Sequence, residues 1–354
     1  MILRRGATVF APSTVKTIIP VLAASVAFAG CAKDELLHID YDNSNDSEIT
    51  FQVAPVTKAT STTFGSSSVF ETSAYYNTSD SQWVTSAAEG VEYIPENTVS
   101  WSEDAWRMEN TYHWPEAEGK LTFYCWTLNR ENLDFNPKSD ASVSIDPVKG
   151  VCLNDFDIAL DSDLDFMVAT AAQDKTRKNG GLRASAVTTH FGHQLSRMRV
   201  TARTGDDYSG SKEIRITSIL MKNVAKEADY QQSSCENGTW SEIHEWTVSK
   251  TADAVYGDYT SQPQVVTSSS TELPGERTMY IPQTFTEGVE YLQVSYTILD
   301  LFSGIVEEIT ENIPLNTIIA GGGFRNGKLY TINISIGLDE VYWDPSVGDW
   351  EITI

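Results

Sequence analysis

The segment Glu48-Ile-Thr-Phe-Gln-Val-Ala-Pro-Val56 alternates apolar and polar residues. Successive side chains of a β-strand point to opposite faces, so Ile49, Phe51 and Val53 would share one face. Pro55 has no backbone N–H to donate, which predicts that the strand ends there or lies at the edge of its sheet. The segment is therefore predicted to be a strand with one buried face.

The rest of the chain has the composition of an all-β protein. It contains 15 Tyr and 9 Trp and is rich in Thr and Ser. Gly, Pro or Asn interrupts it about every ten residues, whereas helix signals are scarce. Further apolar strands are predicted at residues 213–224, 289–299 and 328–336. We therefore expect an all-β fold of the sandwich type.

Between Val187 and Val200 the apolar positions change parity. Val187, Phe191 and Leu195 are odd-numbered, whereas Met198 and Val200 are even-numbered. A regular strand keeps its apolar residues on one face at every second position, so one strand cannot hold both sets. A bulge or a tight turn is predicted between them.

A cysteine follows two small residues near the start of the chain, in Phe28-Ala29-Gly30-Cys31. Three basic residues and no acid precede it, and the apolar run at residues 17–29 is shorter than the roughly 20 residues that span a bilayer. Residues 1–30 are therefore predicted to be a secretion signal. The ending resembles the lipobox of bacterial lipoproteins, although Phe28 stands where Leu is usual, and this implies that Cys31 is acylated. The alternative is an ordinary signal peptide with a cysteine nearby.

Acylation of Cys31 would tether the mature protein to the outer membrane, because each buried methylene group contributes about 0.8 kcal/mol. The acidic residues that follow resemble the surface-export signal of Bacteroidales lipoproteins, which implies a location on the cell surface. A solvated acidic linker is the alternative. These residues are Asp34, Glu35, Asp40, Asp42 and Asp46.

The charge of the chain excludes some classes of partner. Residues 1–30 contain three basic residues and no acid, so their removal changes the formal net charge from −24 to −27. A surface of this sign repels phosphate backbones and anionic lipid headgroups. We therefore do not expect the protein surface to bind nucleic acid or a membrane. Contact with the membrane is expected through the lipid anchor alone.

Three cysteines remain after Cys31, namely Cys125, Cys152 and Cys235. Their number is odd and no Cys-x-x-Cys spacing occurs, which argues against a disulfide framework. Cys125 lies in the apolar segment 121–128 and is predicted to be a small buried residue.

Two groups of residues resemble metal sites but lack essential ligands. His190 and His193 are three residues apart, which places them on opposite faces of a strand. Asp161-x-Asp163-x-Asp165 begins like a calcium-binding loop, yet Gly is missing from the sixth position and Glu from the twelfth. No metal site is predicted.

The segment Gly322-Gly-Phe-Arg-Asn-Gly-Lys328 has the spacing of a phosphate-binding loop, but Leu329 replaces the hydroxyl residue and a strand pattern follows instead of a helix. It is predicted to be a hairpin turn. The usual motifs of hydrolases and metalloproteases are also missing, so neither an enzyme nor a cofactor site is predicted.

A series of aromatic motifs resembles the fimbrillin family of type V pilus subunits. It follows the first strand and an exposed connector that begins at Thr57, and the resemblance spans residues 48–354. Trp106 and Trp114 are predicted to pack in the core rather than to bind a sugar. The motifs are, in order, Val69-Phe70, Ala74-Tyr-Tyr-Asn77, Trp106, Tyr112-His-Trp-Pro115, Leu121-Thr-Phe-Tyr-Cys-Trp126, Asp165-Phe-Met-Val-Ala169, the segment from His190 to Val200, Tyr280-Ile-Pro-Gln283 and the segment from Gly327 to Ile334.

Fimbrillins have two transthyretin-like β-sandwich domains in tandem, and the resemblance implies the same arrangement here. The charged, glycine-containing segment at residues 174–181 is the best candidate for the boundary. We expect an N-terminal domain at residues 31–184 and a C-terminal domain at residues 185–354.

In type V pili a protease removes the first strand of a subunit, and the resemblance implies a cut after Lys58, which leaves Ala59 as the first residue. Lys58 is the only basic residue between Lys33 and Arg107. The family usually has Arg here, and Lys lacks its planar guanidinium group. Residues 31–58 would be removed on maturation.

The C-terminus also alternates, because Trp350, Ile352 and Ile354 are separated by Glu351 and Thr353. In type V pili the C-terminal segment of a neighbouring subunit fills the groove of the removed strand. The resemblance implies that residues 341–354 are such a donor strand, and the alternative is a final strand in its own sheet.

The predicted function is that of a subunit of a cell-surface fimbria that assembles by donor-strand exchange and serves adhesion. Its partners would be other fimbrial subunits, together with a host glycan or protein. The alternative is a monomeric surface lipoprotein of the same fold that binds such a ligand. The sequence does not distinguish a stalk, tip or anchor subunit.

Overall fold

The computed structural model describes residues 48–54, 68–78, 80–103, 105–115, 119–129, 137–177, 186–205, 208, 210–337 and 341–350. The first strands are β1 (Thr50–Ala54), β2 (Val69–Asn77), β3 (Val91–Ser102), β4 (Ala105–Met108), β5 (Lys120–Asn129), β6 (Ser142–Asp146), β7 (Gly150–Asp157), β8 (Asp165–Ala169), β9 (Ala172–Lys175), β10 (Ala186–His193) and β11 (Ser196–Thr204). They are followed by β12 (Lys212–Glu236), β13 (Thr239–Asp258), β14 (Gln264–Val266), β15 (Thr271–Leu273), β16 (Met279–Tyr280), β17 (Gln283–Thr284), β18 (Tyr291–Asp300), β19 (Val306–Pro314), β20 (Gly323–Phe324), β21 (Lys328–Ile336) and β22 (Val341–Asp349). Short helical segments are α1 (Trp83–Ser86), a 3-10 turn at Ala87–Glu89 and α2 (Leu315–Ile318). The predicted all-β class is confirmed.

The first sheet closes on itself. Its order is β2-β3-β4-β1-β10-β8-β5, and β5 also pairs with β2, so these seven strands form a ring. β9 is added at β5. A closed ring leaves none of its strands at an edge. Large apolar side chains fill the interior, among them Phe70, Trp114 and Leu121.

β1 has partners on both sides within this ring. It ends at Ala54, directly before Pro55. Only Thr50 and Phe51 pair with β4, whereas all five residues of β1 pair with β10. Pro55 lies outside the described residues, so both readings of the proline stay predictions.

The change of parity between Val187 and Val200 coincides with a change of sheet. β10 ends at His193, and β11 begins at Ser196 after a bend at Gln194 and Leu195. β10 pairs with β1 and β8 in the ring, whereas β11 pairs with β15, β16 and β21. The predicted turn is confirmed, and it moves the chain from one sheet to the next.

The second sheet is built around β12, which has 25 residues. It has the order β19-β18-β12-β7-β6, and both β13 and β14 also pair with β12. The length of β12 lets its N-terminal part pair with β18 and its C-terminal part with β7. Register shifts along the β12–β13 ladder, the first between Ile219 and Leu220, interrupt this long hairpin.

The third sheet has the order β15-β11-β21-β22, and β16 also pairs with β11. In β11 every second side chain is buried, from Ser196 to Thr204, and the side chains between them face solvent or are partly covered. β21 runs parallel to β11 and has the same alternation, so the two strands share one buried and one outer face.

The glycine-rich segment at residues 322–328 forms a turn, but it is not a hairpin. It joins β20 to β21, yet β20 pairs with β17, whereas β21 pairs with β11 and β22. Gly327 has φ +66°, a conformation that is readily accessible only to glycine. The predicted turn is therefore present, but the prediction that the strands on either side of it pair with each other is wrong.

The buried apolar residues form three clusters. One lies inside the ring and another between the second and third sheets. The remaining cluster joins residues of both halves, for example Trp126 and Phe166 with Tyr230 and Ile281. The predicted boundary at residues 184 and 185 lies outside the described residues, and the tandem-domain division stays a proposal.

Candidate functional site

The candidate site is the place that β1 occupies in the ring. β1 runs parallel to β10 over five paired positions, from Thr50 opposite Ala186 to Ala54 opposite His190. On its other side it pairs antiparallel with β4, where Phe51 lies opposite Trp106. Among the strands that the structure describes, this five-residue strand alone joins β4 to β10 in the ring.

Two side chains of this first segment point into the ring. Ile49 is 1% exposed and Phe51 is 2% exposed. The Phe51 ring makes edge-to-face contacts with Phe70, at a centroid distance of 5.5 Å, and with Phe123, at 5.7 Å. Burial of one such side chain contributes roughly 1.5–3 kcal/mol, and favourable ring geometry adds to it.

Polar contacts fix the entry to the strand. The Ile49 N–H donates to the Tyr112 carbonyl oxygen at 2.9 Å. Arg107 Nη1 lies 2.6 Å from Glu48 Oε2, and both side chains are partly exposed. Exposed ion pairs of this kind contribute about 0–1 kcal/mol, so apolar burial and the backbone ladders hold β1 in place.

The walls of the site are aromatic. Phe70 lies between Trp106, at a centroid distance of 5.7 Å, and Phe191, at 5.2 Å. Trp106 is 4% exposed, and Trp114 is fully buried. Core packing is therefore confirmed for both tryptophans. Without β1, the place it fills would be a groove lined by these rings.

The C-terminal segment lies on its own chain over residues 341–350. β22 pairs antiparallel with β21 at nine positions, from Val341 opposite Ile336 to Asp349 opposite Lys328. It is the last strand of its sheet, and Tyr342 and Val347 are exposed. β22 is thus an edge strand with little burial of its own.

Trp350 closes this strand with a stacked contact that the sequence did not predict. Its ring lies parallel to that of His193, with centroids 3.9 Å apart and an interplanar angle of 4°. The Arg197 guanidinium carbon is 5.8 Å from the Trp350 ring centroid, and the Trp350 backbone N–H donates to the Gly327 carbonyl oxygen at 2.9 Å. His193 Nδ1 lies 2.8 Å from Asp165 Oδ2.

The three aspartates of the calcium-like motif each contact other protein groups. The Asp161 carboxylate accepts hydrogen bonds from the backbone N–H groups of Lys138 and Ser139, at 2.7 and 3.0 Å. Asp163 faces the Lys138 ammonium group at 3.4 Å, and Asp165 contacts His193. The contacts of Asp161 and Asp163 tie them to residues 138 and 139, and that of Asp165 ties it to β10.

The three described cysteines are free. Cys125 is buried, as predicted, and burial raises the pKa of its thiol to about 12. Burial likewise raises the pKa of the Cys152 thiol to about 11. Both thiols are therefore protonated at neutral pH and behave as apolar side chains.

Several predicted site residues lie outside the described residues. These are the lipidation residue Cys31, the processing residues Lys58 and Ala59, and the donor-strand residues Ile352 and Ile354. Of the predicted donor-strand side chains, Trp350 alone falls within the described ranges.

Neither a membrane-spanning helix nor a metal cluster occurs in the part of the chain that the structure describes. None of its helices is long and apolar enough to cross a bilayer. None of its groups of His, Cys, Asp or Glu brings three side chains together to hold a metal ion.

A family model described as fimbrillin-like matches residues 57–350. A fimbrial protein from Bacteroides vulgatus has a similar structure, with a TM-score of 0.56 and 16% identity over 86% of this chain and 99% of that chain. A fimbrial assembly protein from Parabacteroides distasonis gives a TM-score of 0.37 and 12% identity, over 85% and 98% of the two chains. The truncated tip fimbrial protein of Porphyromonas gingivalis gives 0.35 and 9%, over 80% and 95%. The comparison with curated proteins gave no match.

Proposed function

The chain belongs to the fimbrillin-like family, and on that premise we propose that it is a subunit of a cell-surface fimbria that polymerises by donor-strand exchange and serves adhesion. The partners in this proposal are other fimbrial subunits and, on the host, a glycan or protein ligand. The subunit reaches the cell surface as an outer-membrane lipoprotein. It has no catalytic or cofactor site in this proposal.

The burial of β1 between β4 and β10 is the observation that carries the proposal. β1 comes first among the described strands and is only five residues long, yet it completes a seven-stranded ring. Its removal would expose unpaired backbone groups on both neighbours and an aromatic groove. Such a groove accepts an extended strand from another chain, because the backbone ladder supplies affinity and the pockets supply register.

The C-terminal segment is the proposed donor strand. Among the described strands β22 pairs only with β21, so its release would break one ladder, the packing of Trp343 against the core cluster and the Trp350 stack. Trp350, Ile352 and Ile354 would then supply alternate apolar side chains to the groove of the next subunit.

One observation favours the second candidate, a monomeric surface lipoprotein that binds a glycan or host protein. Residues 341–349 already have a partner strand in their own chain. A subunit that kept both β1 and this pairing would have no open groove and no free donor.

Electron microscopy of filaments released from the cell surface tests the proposed function. An antibody against this chain should label filaments at regular intervals, and a strain that lacks the gene should lose the labelled filaments. Labelled material that is purely monomeric would support the second candidate instead.

We expect the change Cys31→Ser to abolish acylation, because only the thiol at this position accepts the lipid. Metabolic labelling with a tagged fatty acid measures the effect, and membrane fractionation should show the protein leaving the outer membrane. Cys235→Ser is the matched control and should keep the label. A Cys31→Ser protein that is still labelled and still membrane-bound would show that the anchor lies elsewhere.

Maturation should cut the chain after Lys58, so N-terminal sequencing of filament material should begin at Ala59. Lys58→Ala should block the cut, and Lys58→Arg should speed it if the protease selects the planar guanidinium group. Lys33→Ala is the control and should leave processing unchanged. A start at Cys31 in every filament-bearing fraction would contradict the cut and indicate an anchor subunit that retains its first strand.

A further inference from the structure

The outer face of the third sheet carries a row of arginines. In β11 the side chains of Met198, Val200 and Ala202 are buried, and Arg197, Arg199 and Arg203 point outward and are exposed. We call this surface the arginine face. The chain has 49 acidic and only 25 basic residues, apart from histidine, so three arginines on one side of one strand are a local reversal of its charge.

These three charges have no carboxylate partner among the described residues. The Arg199 Nε–H donates to Thr331 Oγ1 at 2.8 Å, and Arg197 lies over the Trp350 ring. Neither they nor Arg203 form an ion pair with any described residue. Their guanidinium groups thus keep donors that can bind an anion in a bidentate manner.

The neighbouring strand supplies neutral polar groups. Thr201 Oγ1 donates to Asn333 Oδ1 at 2.7 Å, and Ser335 follows on the same face of β21. Tyr342 lies opposite Ser335 on β22 and is 58% exposed. Arg203, Asn333 and Tyr342 are among the residues that line a shallow depression of about 550 Å³.

Two acids divide the positive row. Glu272 on β15 lies beside Thr201, and Asp344 on β22 lies beside Asn333. Because a strand rises about 3.3 Å per residue, Arg199 and Arg203 are separated by roughly 13 Å of neutral or acidic surface. A polyanion with a charge about every 3.4 Å, such as a nucleic acid strand, would place charges against these acids.

We propose that the arginine face binds an acidic glycan in which charged and neutral sugars alternate. Spaced carboxylate or sulfate groups would pair with Arg199 and Arg203, and the hydroxyl groups of the neutral sugar between them would meet Thr201, Asn333 and Ser335. Protein partners concentrate their affinity in a buried aromatic or apolar centre, whereas the outward side chain between Arg199 and Arg203 on β11 is the polar Thr201, beside Asn333. The inference deepens the adhesive role proposed above.

Binding is measured with the full-length, unpolymerised chain, by titration with oligosaccharides of defined length. Hyaluronan carries a carboxylate on every second sugar and so has the proposed alternation, whereas chondroitin sulfate carries a sulfate on the intervening sugar as well, so the two probes distinguish an alternating glycan from one that is charged on every sugar. Poly-L-glutamate is the acidic polypeptide probe, and dextran is the neutral one. We expect at least one glycan to bind more tightly than poly-L-glutamate and dextran not to bind.

Arg199→Ala and Arg203→Ala should each raise the Kd for the glycan by about two- to fivefold, which is the range of an exposed ion pair. Each change should also weaken the dependence of the affinity on salt, because an exposed ion pair is screened by salt. Arg215→Ala is the matched control, because it removes the same charge from β12, where Arg215 is paired with Glu213. Its Kd for the glycan should equal that of the unchanged chain.

Equal affinity for poly-L-glutamate would overturn the proposal and assign the face to an acidic protein segment. Arginine variants that bind the glycan as the unchanged chain does, or an unchanged chain that binds neither glycan, would overturn it as well. Filament formation is scored separately. A chain that forms filaments but binds no glycan contradicts this inference alone, whereas a chain that binds glycan but forms no filaments contradicts the fimbrial proposal alone.

Discussion

Phe51→Ala should lower the free energy of unfolding of the uncut chain by about 3–5 kcal/mol, which is the usual loss for a buried phenylalanine in a core. Phe51 is 2% exposed and contacts Phe70 and Phe123 in the ring. Its removal leaves a cavity that these aromatic side chains cannot readily fill. Denaturant unfolding followed by tryptophan fluorescence measures the change.

Gln52→Ala is the matched control, since Gln52 is the next residue of β1 and is only partly buried. Its effect should stay within about 0.5 kcal/mol. If strand exchange operates, Phe51→Ala should have no effect on assembled subunits, because mature subunits no longer contain β1. An uncut Phe51→Ala chain as stable as the control would show that β1 is not a structural part of the ring.

Ile352→Asp should reduce the yield of filaments by at least about tenfold while the monomer still folds and is exported. An apolar side chain seated in a groove contributes roughly 1.5–3 kcal/mol, and 1.4 kcal/mol corresponds to a factor of ten in binding. An unpaired aspartate would also have to be buried there. Filament ladders on detergent gels measure the loss, and melting curves of the monomer measure the folding.

Thr353→Asp is the control, because it adds the same charge on the opposite side of an alternating strand. It should assemble nearly as well as the unchanged chain. β22 pairs with β21 over residues 341–349. If Ile352→Asp instead unfolds the monomer, the residues after β22 also belong to the sheet of their own chain. If its filaments persist with unchanged resistance to detergent, the segment is not the donor.

Local alternation predicted individual strands well. The burial of Phe51, the β-rich class and the break between Val187 and Val200 all follow from the period of two along the chain. The burial of Trp106 and Trp114 followed from their size and apolar surface. These properties depend on each residue and its near neighbours, so a single sequence contains them.

The contacts of the candidate site could not be predicted in the same way. Trp350 stacks on His193, which lies far earlier in the chain, and His193 contacts Asp165 on another strand. Each of these side chains has an ordinary sequence neighbourhood. The hairpin at residues 322–328 was wrongly expected for a similar reason. A turn motif does not specify which strands the segments on either side of it will pair with.

The sequence alone determined the all-β class, several of the strands, the apolar side of β1 and the strongly acidic charge of the chain, because these properties are periodic or additive along the chain. The tertiary structure decided that β1 lies between β4 and β10, that seven strands close into a ring, and that Arg199 and Arg203 of β11 lie beside Thr331 and Ser335 of β21. Strand order and register are set by the packing of side chains more than 100 positions apart, such as Phe51 opposite Val187. No local pattern encodes such a pairing, since many strands of this chain carry the same alternation.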